Sequence, residues 1–135
     1  MNSGYQKYKT QSIYSMSGVE LLLLLYNEAI KRMKMAEYAL EDKDYGVFEE
    51  CITRTVRIVR YLNSILDMEQ PISQDFRRIY EYLFYDLGVI RAGRDRKIED
   101  IHEIIRLFTE FRDGFEEAGK LVTEQRIVSP KSVTG

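Results

Sequence analysis

Apolar residues recur at three- and four-residue steps between about residues 17 and 125 of the chain. That spacing is typical of amphipathic helices, and no two-residue alternation indicates a strand. Pro71 lies in a predicted connection and Pro130 lies in the tail, so neither interrupts a periodic segment. The pattern therefore predicts four helices, at about residues 17–41, 44–68, 73–92 and 95–119.

The connections between these helices are only a few residues long, which makes consecutive helices antiparallel neighbours. We therefore expect an all-α fold, an antiparallel up-down-up-down four-helix bundle with a mobile N-terminal arm. With 135 residues the chain has the size of one domain, which we assign to residues 1–125. Residues 1–14 would form the arm, and residues 126–135 a flexible tail.

The second helix has the clearest core-facing stripe, because its apolar residues are spaced like a coiled-coil seam. They are Phe48, Cys51, Ile52, Thr55, Ile58, Val59, Leu62, Ile65 and Leu66. The third helix has a similar series: Phe76, Ile79, Tyr80, Leu83, Leu87 and Ile90.

The first helix carries more apolar surface than a bundle core can use, because five leucines follow one another from Leu21 to Leu25. At about 100° per residue, Leu22, Leu23 and Leu25 share the core-facing stripe while Leu21 and Leu24 point outward. Contiguous exposed apolar surface often marks an interaction site. The cover is the N-terminal arm, a second copy of the chain, or an apolar face of another protein.

The third helix shows a similar surplus outside its core series, with Tyr82, Phe84, Tyr85 and Val89 on faces that should meet water. Tyrosine suits binding surfaces because its ring packs while its hydroxyl stays hydrated. The alternative is that these side chains simply surround the rim of the core.

Composition excludes several classes of function. The 20 Lys and Arg residues are outnumbered by 22 Asp and Glu residues, so no basic excess points to a nucleic-acid partner. Cys51 is the only cysteine and cannot form an internal disulfide, which fits the reducing cytoplasm. The longest apolar stretch, Val19 followed by Leu21 to Tyr26, is broken by Glu20 and is far shorter than the roughly 20 residues of a membrane helix, so we expect no membrane insertion.

Two motifs that contain His102 have spacings found in catalytic sites. Glu99 and His102 have the Glu-x-x-His spacing of di-iron bundles, but His102 is the only histidine and a second pair cannot exist. Arg96 and His102 have a spacing that resembles the motif of HEPN ribonucleases, although no basic groove accompanies it. We therefore predict no enzyme, no metal site and no cofactor, with a HEPN-like ribonuclease as the enzymatic alternative.

Several segments, taken in order, resemble the bacterial flagellar export chaperone family FliS. The strongest similarity covers Tyr8, Gln11 and residues 15–30, SMSGVELLLLLYNEAI. Residues 62–68, LNSILDM, and 79–83, IYEYL, are similar to the family's second-helix end and third-helix start.

This resemblance implies a cytoplasmic chaperone that binds the C-terminal segment of flagellin, prevents premature polymerisation and delivers flagellin to the flagellar type III export apparatus. Other flagellar assembly factors are further candidate partners. It also implies a flagellin-binding groove covered by the arm, formed by Tyr8, Gln11, Ile13, Leu21, Leu24, Leu25, Tyr26, Asn63, Leu66, Tyr80 and Tyr82. A homodimer or an adaptor that binds another protein remains the alternative.

Overall fold

The computed structural model describes the backbone of residues 18–128 and, within it, every side chain except those of Val19 and residues 119–128. This part of the chain is helical and contains no strand, which confirms the predicted all-α class. Its elements are α1 Gly18–Glu41, α2 Tyr45–Ser64, α3 Pro71–Gly93, the 3-10 helix Arg94–Lys97 and α4 Ile98–Val128. The predicted arm, residues 1–14, lies outside the described residues, as do residues 129–135 of the predicted tail.

In the turn between α1 and α2, one residue, Asp44, takes part both in the end of α1 and in the start of α2. Lys43 has a left-handed φ of 57°, and the backbone N–H of Asp44 donates to the carbonyl of Ala39 at 2.7 Å. These features form a Schellman motif that satisfies the last carbonyls of α1. The Asp44 carboxylate then caps α2 by accepting a hydrogen bond from the backbone N–H of Val47 at 3.2 Å. A single aspartate thus ends one helix and starts the next.

The connection between α2 and α3 is longer than the sequence pattern predicts. Helix α2 ends at Ser64 rather than near residue 68, and α3 begins at Pro71 rather than at Ser73. The Asp67 carbonyl accepts the hydroxyl of Ser73 at 2.6 Å and the N–H of Gln70 at 2.9 Å. Ser73 is therefore buried inside the first turn of α3, while the fixed φ of Pro71 suits the first helical position.

The turn between α3 and α4 has its unusual backbone at Arg94, whose φ is 54° and ψ is −123°. Gly93, the last residue of α3, has an ordinary φ of −85°. Glycine suits this position because a Cβ atom there would overlap the Lys97 side chain, which would have to shift. At its other end α4 runs past the predicted residue 119, since one glycine costs a helix only about 1 kcal/mol.

Helix α1 packs mainly against α2 and α4, and α3 packs against α2. The largest fully buried side chains come from all four helices: Tyr26, Met33, Leu40, Phe48, Ile52, Leu62, Tyr80, Leu83, Leu87, Ile90, Ile101 and Phe108. Cys51 is buried in the same core, and burial raises the pKa of its thiol. Within residues 18–128, no helix is long and apolar enough to cross a bilayer.

Candidate functional site

The predicted apolar surface of α1 is present in the structure. Leu24 is 47% exposed, whereas Leu21 and Leu25 are half-buried. Leu25 and Ala39 are fourteen residues apart and lie on nearly the same side of α1, because every seventh residue of an α-helix returns to nearly the same face. That side faces α2, because Ala39 lines a small cavity together with Val47 of α2.

Exposed apolar side chains also gather at the end of α2 and the start of α3. They are Tyr61, Ile65, Met68 and Ile72. Tyr61 shares a side of α2 with Val47 by the same seven-residue steps, so it too lies on the side facing α1. Leu24 and Tyr61 are therefore exposed apolar residues on two helices that pack against each other.

A cluster of aromatic rings in the core joins α1, α3 and α4. The Tyr26 ring stacks on Phe115 with centroids 5.7 Å apart, and Phe76 lies 5.5 Å from both Phe111 and Phe115. Phe108 completes the cluster 6.0 Å from Tyr26. Contacts at these separations add stabilisation beyond burial alone and hold the three helices together.

Two tyrosine hydroxyls within the cluster are hydrogen bonded to each other, with Oη of Tyr26 and Oη of Tyr80 2.6 Å apart. Both residues are buried, at 0% and 1% exposure. Burial is the main reason that the pKa of each hydroxyl lies above its ordinary value. Tyr26 and Tyr80, both predicted site residues, thus lie in the core and not on the exposed surface.

The remaining predicted residues do not all share one face. Asn63 and Leu66 are half-buried near the end of α2. Tyr82 is 53% exposed, and nearby Asp86 and the α4 residues Asp100 and Glu103 raise the pKa of its hydroxyl. The structure therefore places Tyr82 on the α4-facing side of α3, apart from Leu24. Tyr8, Gln11 and Ile13 lie outside the described residues.

The histidine motifs form no catalytic constellation. Nε2 of His102 lies 2.7 Å from a carboxylate oxygen of Glu37, and Nδ1 lies 3.7 Å from Glu99. Arg96 lines a cavity of about 670 Å³, whereas His102 lines another of about 400 Å³. Among the described residues, no group of His, Cys, Asp and Glu is arranged to hold a metal ion.

Sequence reasoning missed a second exposed apolar surface near the end of α1. Met35 and Tyr38 are exposed and line a cavity of about 210 Å³ with Val47. The signal was present in the sequence, because the two residues are three positions apart on the outward face of α1.

Comparison with known proteins shows similarity to one protein family. A family model described as "Flagellar protein FliS" matches residues 1–122. The flagellar secretion chaperone FliS of Bacillus subtilis (strain 168) is 26% identical to this chain over 114 residues, which are 84% of each protein. The family match includes the predicted arm as well as α1, α2, α3 and most of α4.

Proposed function

This chain belongs to the FliS family of flagellar secretion chaperones, and we propose that it binds the C-terminal segment of flagellin, prevents premature polymerisation and delivers flagellin to the flagellar type III export apparatus. The family is one of chaperones, which confirms the prediction that the chain is not an enzyme. We assign this function to the cytoplasm. The observation that carries the proposal is exposed apolar surface on two helices, α1 and α2, that pack against each other.

We further propose that the four helices form an antiparallel up-down-up-down bundle. Two contacts between α1 and α4 support this arrangement. Asn27 accepts a hydrogen bond from Arg112 at 3.2 Å, and Glu37 lies 2.7 Å from His102. Later positions on α1 thus meet earlier positions on α4. The three-residue turn at residues 42–44 favours the same antiparallel relation between α1 and α2.

In this arrangement the flagellin site is a groove between α1 and α2. Ala39 and Val47 share a cavity and fix the register of the two helices. Moving back along α1 from Ala39 to Leu25 then corresponds to moving forward along α2 from Val47 to Tyr61. We define the proximal groove by Leu21, Leu24 and Leu25 of α1 with Ile58, Tyr61 and Ile65 of α2.

A disordered flagellin tail would bind by folding as an amphipathic helix whose apolar face packs into the proximal groove. The cost of ordering the tail subtracts from the gain of apolar burial, which keeps the complex releasable for export. Little reorganisation of α1 is needed on binding, because the aromatic cluster already holds α1 against α3 and α4. Tyr26 and Tyr80 would therefore contribute by holding the groove in shape.

The other predicted residues extend this site. Asn63 and Leu66 lie at the C-terminal end of α2, close in sequence to the groove residues Tyr61 and Ile65. Tyr82 lies beside α4, so it would be a second contact reached only if flagellin continues around the bundle. We propose that the arm residues Tyr8, Gln11 and Ile13 cover the proximal groove until flagellin displaces them; the resemblance to the family supports this role.

The test is isothermal titration of the chain with the C-terminal segment of flagellin, comparing wild type with Leu24→Asp. We expect saturable binding near one to one, a negative heat-capacity change, and at least about tenfold weaker binding by the variant. Val47→Asp is the matched control, since Val47 is a similarly exposed aliphatic residue, at 43%, away from the proximal groove. Circular dichroism checks that both variants fold.

Absence of binding by a folded wild-type chain would contradict the proposal. If the same chain instead showed a concentration-dependent mass that Leu24→Asp abolished, the apolar surface would be a dimer contact. Equal weakening by Leu24→Asp and Val47→Asp would show that the proximal groove is not the site.

A further inference from the structure

The turns at the other end of the molecule meet in a polar network. Nζ of Lys43, in the α1–α2 turn, lies 2.5 Å from Oδ2 of Asp95, in the α3–α4 turn. The Tyr45 hydroxyl donates to Oδ1 of the same carboxylate at 3.0 Å. Both oxygens of Asp95 are therefore engaged, and the hydrogen bond from Lys43 is the main reason that the pKa of Asp95 is lowered.

An open cavity of about 670 Å³ lies beside this network, and three arginines line it: Arg91, Arg94 and Arg96. Its carboxylates, Glu49 and Asp95, already have partners in the protein. Asp95 is held by Lys43, and Glu49 lies 3.3 Å from Nε of Arg91. The cavity therefore keeps an excess of positive charge. Its volume falls in the usual range for ligand sites.

Each arginine is held by a contact that leaves other donors unused. The Arg91 Nη2 atom donates to Oγ1 of Thr53 at 2.7 Å, and its Nε lies near Glu49 without an aligned hydrogen bond. Nε of Arg96 donates to the Gly93 carbonyl at 3.3 Å. A guanidinium has five N–H donors, so both side chains keep several for an acceptor in the cavity.

Arg94 is anchored differently. Its guanidinium carbon lies 4.5 Å from the centre of the Tyr45 ring, and that ring is itself fixed through the bond to Asp95. Stacking uses the face of the guanidinium and leaves the N–H groups at its edge available. The backbone of Arg94 has a positive φ that residues other than glycine rarely adopt, so the backbone of the turn is strained at this residue.

We propose that this cavity binds a carboxylate-rich segment of a protein partner. Arginines fixed in advance suit carboxylates, because the guanidinium fork matches the two oxygens and little side-chain freedom is lost on binding. A peptide fits better than a free phosphate, since its backbone N–H groups can donate to the remaining lone pairs of Glu49 and Asp95 while its carboxylates pair with the arginines. This site lies away from the proximal groove and does not depend on the proposed flagellin binding.

The probe is a short fluorescein-labelled peptide that alternates Glu with apolar residues, with a Gln-for-Glu peptide as its control. We expect the Glu peptide to bind at least about tenfold more tightly, with the difference shrinking as salt rises from about 50 to about 300 mM. In nitrogen-detected spectra of the arginine side chains, the Nε–H signal of Arg91 should shift on binding.

Two substitutions locate the site. Arg94→Gly removes the guanidinium and relieves the backbone strain, so the fold should survive, and Arg96→Ala removes a second donor set. Each should weaken binding of the Glu peptide by about threefold or more. Arg78→Ala makes the same change of charge at the opposite end of α3 and should leave binding unchanged. None of the three should alter the flagellin titration.

Three results would overturn the proposal. They are no binding of the Glu peptide by the folded chain, weakening of that binding by Arg78→Ala as large as that by Arg94→Gly or Arg96→Ala, and displacement of the peptide by inorganic phosphate at an equal concentration of negative charge. The second would indicate diffuse charge attraction, and the third a site for small anions. Because flagellin is titrated separately, failure here is distinguishable from failure of the chaperone proposal.

Discussion

The two ends of the molecule are built in opposite ways. At one end, here called the aromatic end, rings of Tyr26, Phe76, Phe111 and Phe115 pack inside and apolar side chains such as Leu24 lie outside. At the other, the turn end, the two tight turns are held by exposed or half-exposed polar contacts, such as the one between Lys43 and Asp95. Apolar burial is worth more than exposed ion pairs, so substitutions in the aromatic cluster should cost more stability than substitutions of these polar turn contacts.

This difference also explains how Leu24 can remain exposed. The core-facing side of α1 is already occupied by buried residues such as Tyr26 and Met33, so Leu24 is not needed there. The turn end needs no aromatic cluster, since hydrogen bonds and caps close its short connections. We therefore expect substitutions at the aromatic end to have larger effects on folding than substitutions at the turn end.

The largest expected effect is that of Phe108→Ala. Phe108 is fully buried and contacts the Tyr26 ring, so truncation leaves a cavity and should lower the free energy of unfolding by about 3–5 kcal/mol. Urea unfolding followed by circular dichroism measures this change. Val47→Ala, on an exposed side chain, is the control and should change stability little. A loss of less than about 1 kcal/mol from Phe108→Ala would contradict a central role for the cluster.

Tyr26→Phe should follow in size. It leaves the buried Tyr80 hydroxyl without its partner, which costs about 1–3 kcal/mol. The double variant Tyr26→Phe/Tyr80→Phe removes both hydroxyls and should be less destabilised than the sum of the two single variants. A double-mutant cycle of unfolding free energies measures the coupling, and strict additivity would show that the hydroxyls do not interact.

Alkaline pH tests the same pair. The pKa of each hydroxyl is raised in the folded chain, so the folded state keeps its protons where the unfolded state releases them above about pH 10. Stability should therefore fall as pH rises through this range, by up to about 1.4 kcal/mol per pH unit for each tyrosine. The double phenylalanine variant should lose this part of the slope. The same slope of unfolding free energy against pH in the wild type and the double variant would rule the effect out.

At the turn end, Asp44→Ala removes the side-chain cap of α2 and should cost about 1 kcal/mol. Asp42→Ala makes the same change of charge two residues earlier, where no side-chain cap is formed, and serves as the control. Thermal unfolding of the two variants compares them directly. A loss as large as that of Phe108→Ala would mean that the turn end matters as much as the aromatic end.

The smallest expected effect comes from His102. Its hydrogen bond with Glu37 is the main reason that the pKa of the imidazole is raised, although the ring is largely exposed and solvent screens the pair. The stabilisation is fully present below the unfolded pKa of about 6.5 and is lost as pH rises through the folded pKa. We expect a change below about 1 kcal/mol. Stability measured across this range should become flatter in His102→Gln, and a steeper dependence would contradict this assignment.

Much of the fold could be predicted because it depends on local periodicity. The seam of α2 was predicted correctly at Phe48, Ile52, Val59 and Leu62, which are all buried, and helical geometry also placed Leu24 outward. Positions one turn apart share a face whatever the rest of the chain does, so a single sequence is enough to find them.

The candidate site was harder to predict because it depends on contacts between distant segments. The resemblance to the family implies Tyr26 and Tyr80 as groove residues, but their hydroxyls meet each other in the core, through a contact between α1 and α3 that no local pattern reveals. The resemblance also groups Tyr82 with Leu24, whereas Tyr82 lies near carboxylates of α4. The sequence pattern also did not predict that α2 ends at Ser64, because this end depends on hydrogen bonds of Asp67 across the connection to α3.

The single cysteine gives the molecule a built-in reporter of helix separation. Cys51 is only 3% exposed in the core, and burial raises the pKa of its thiol, so the folded chain should resist alkylating reagents. Labelling then requires α2 to separate from its neighbours. Its rate measures how often the helices part, and a ligand that bridges α1 and α2 should slow it.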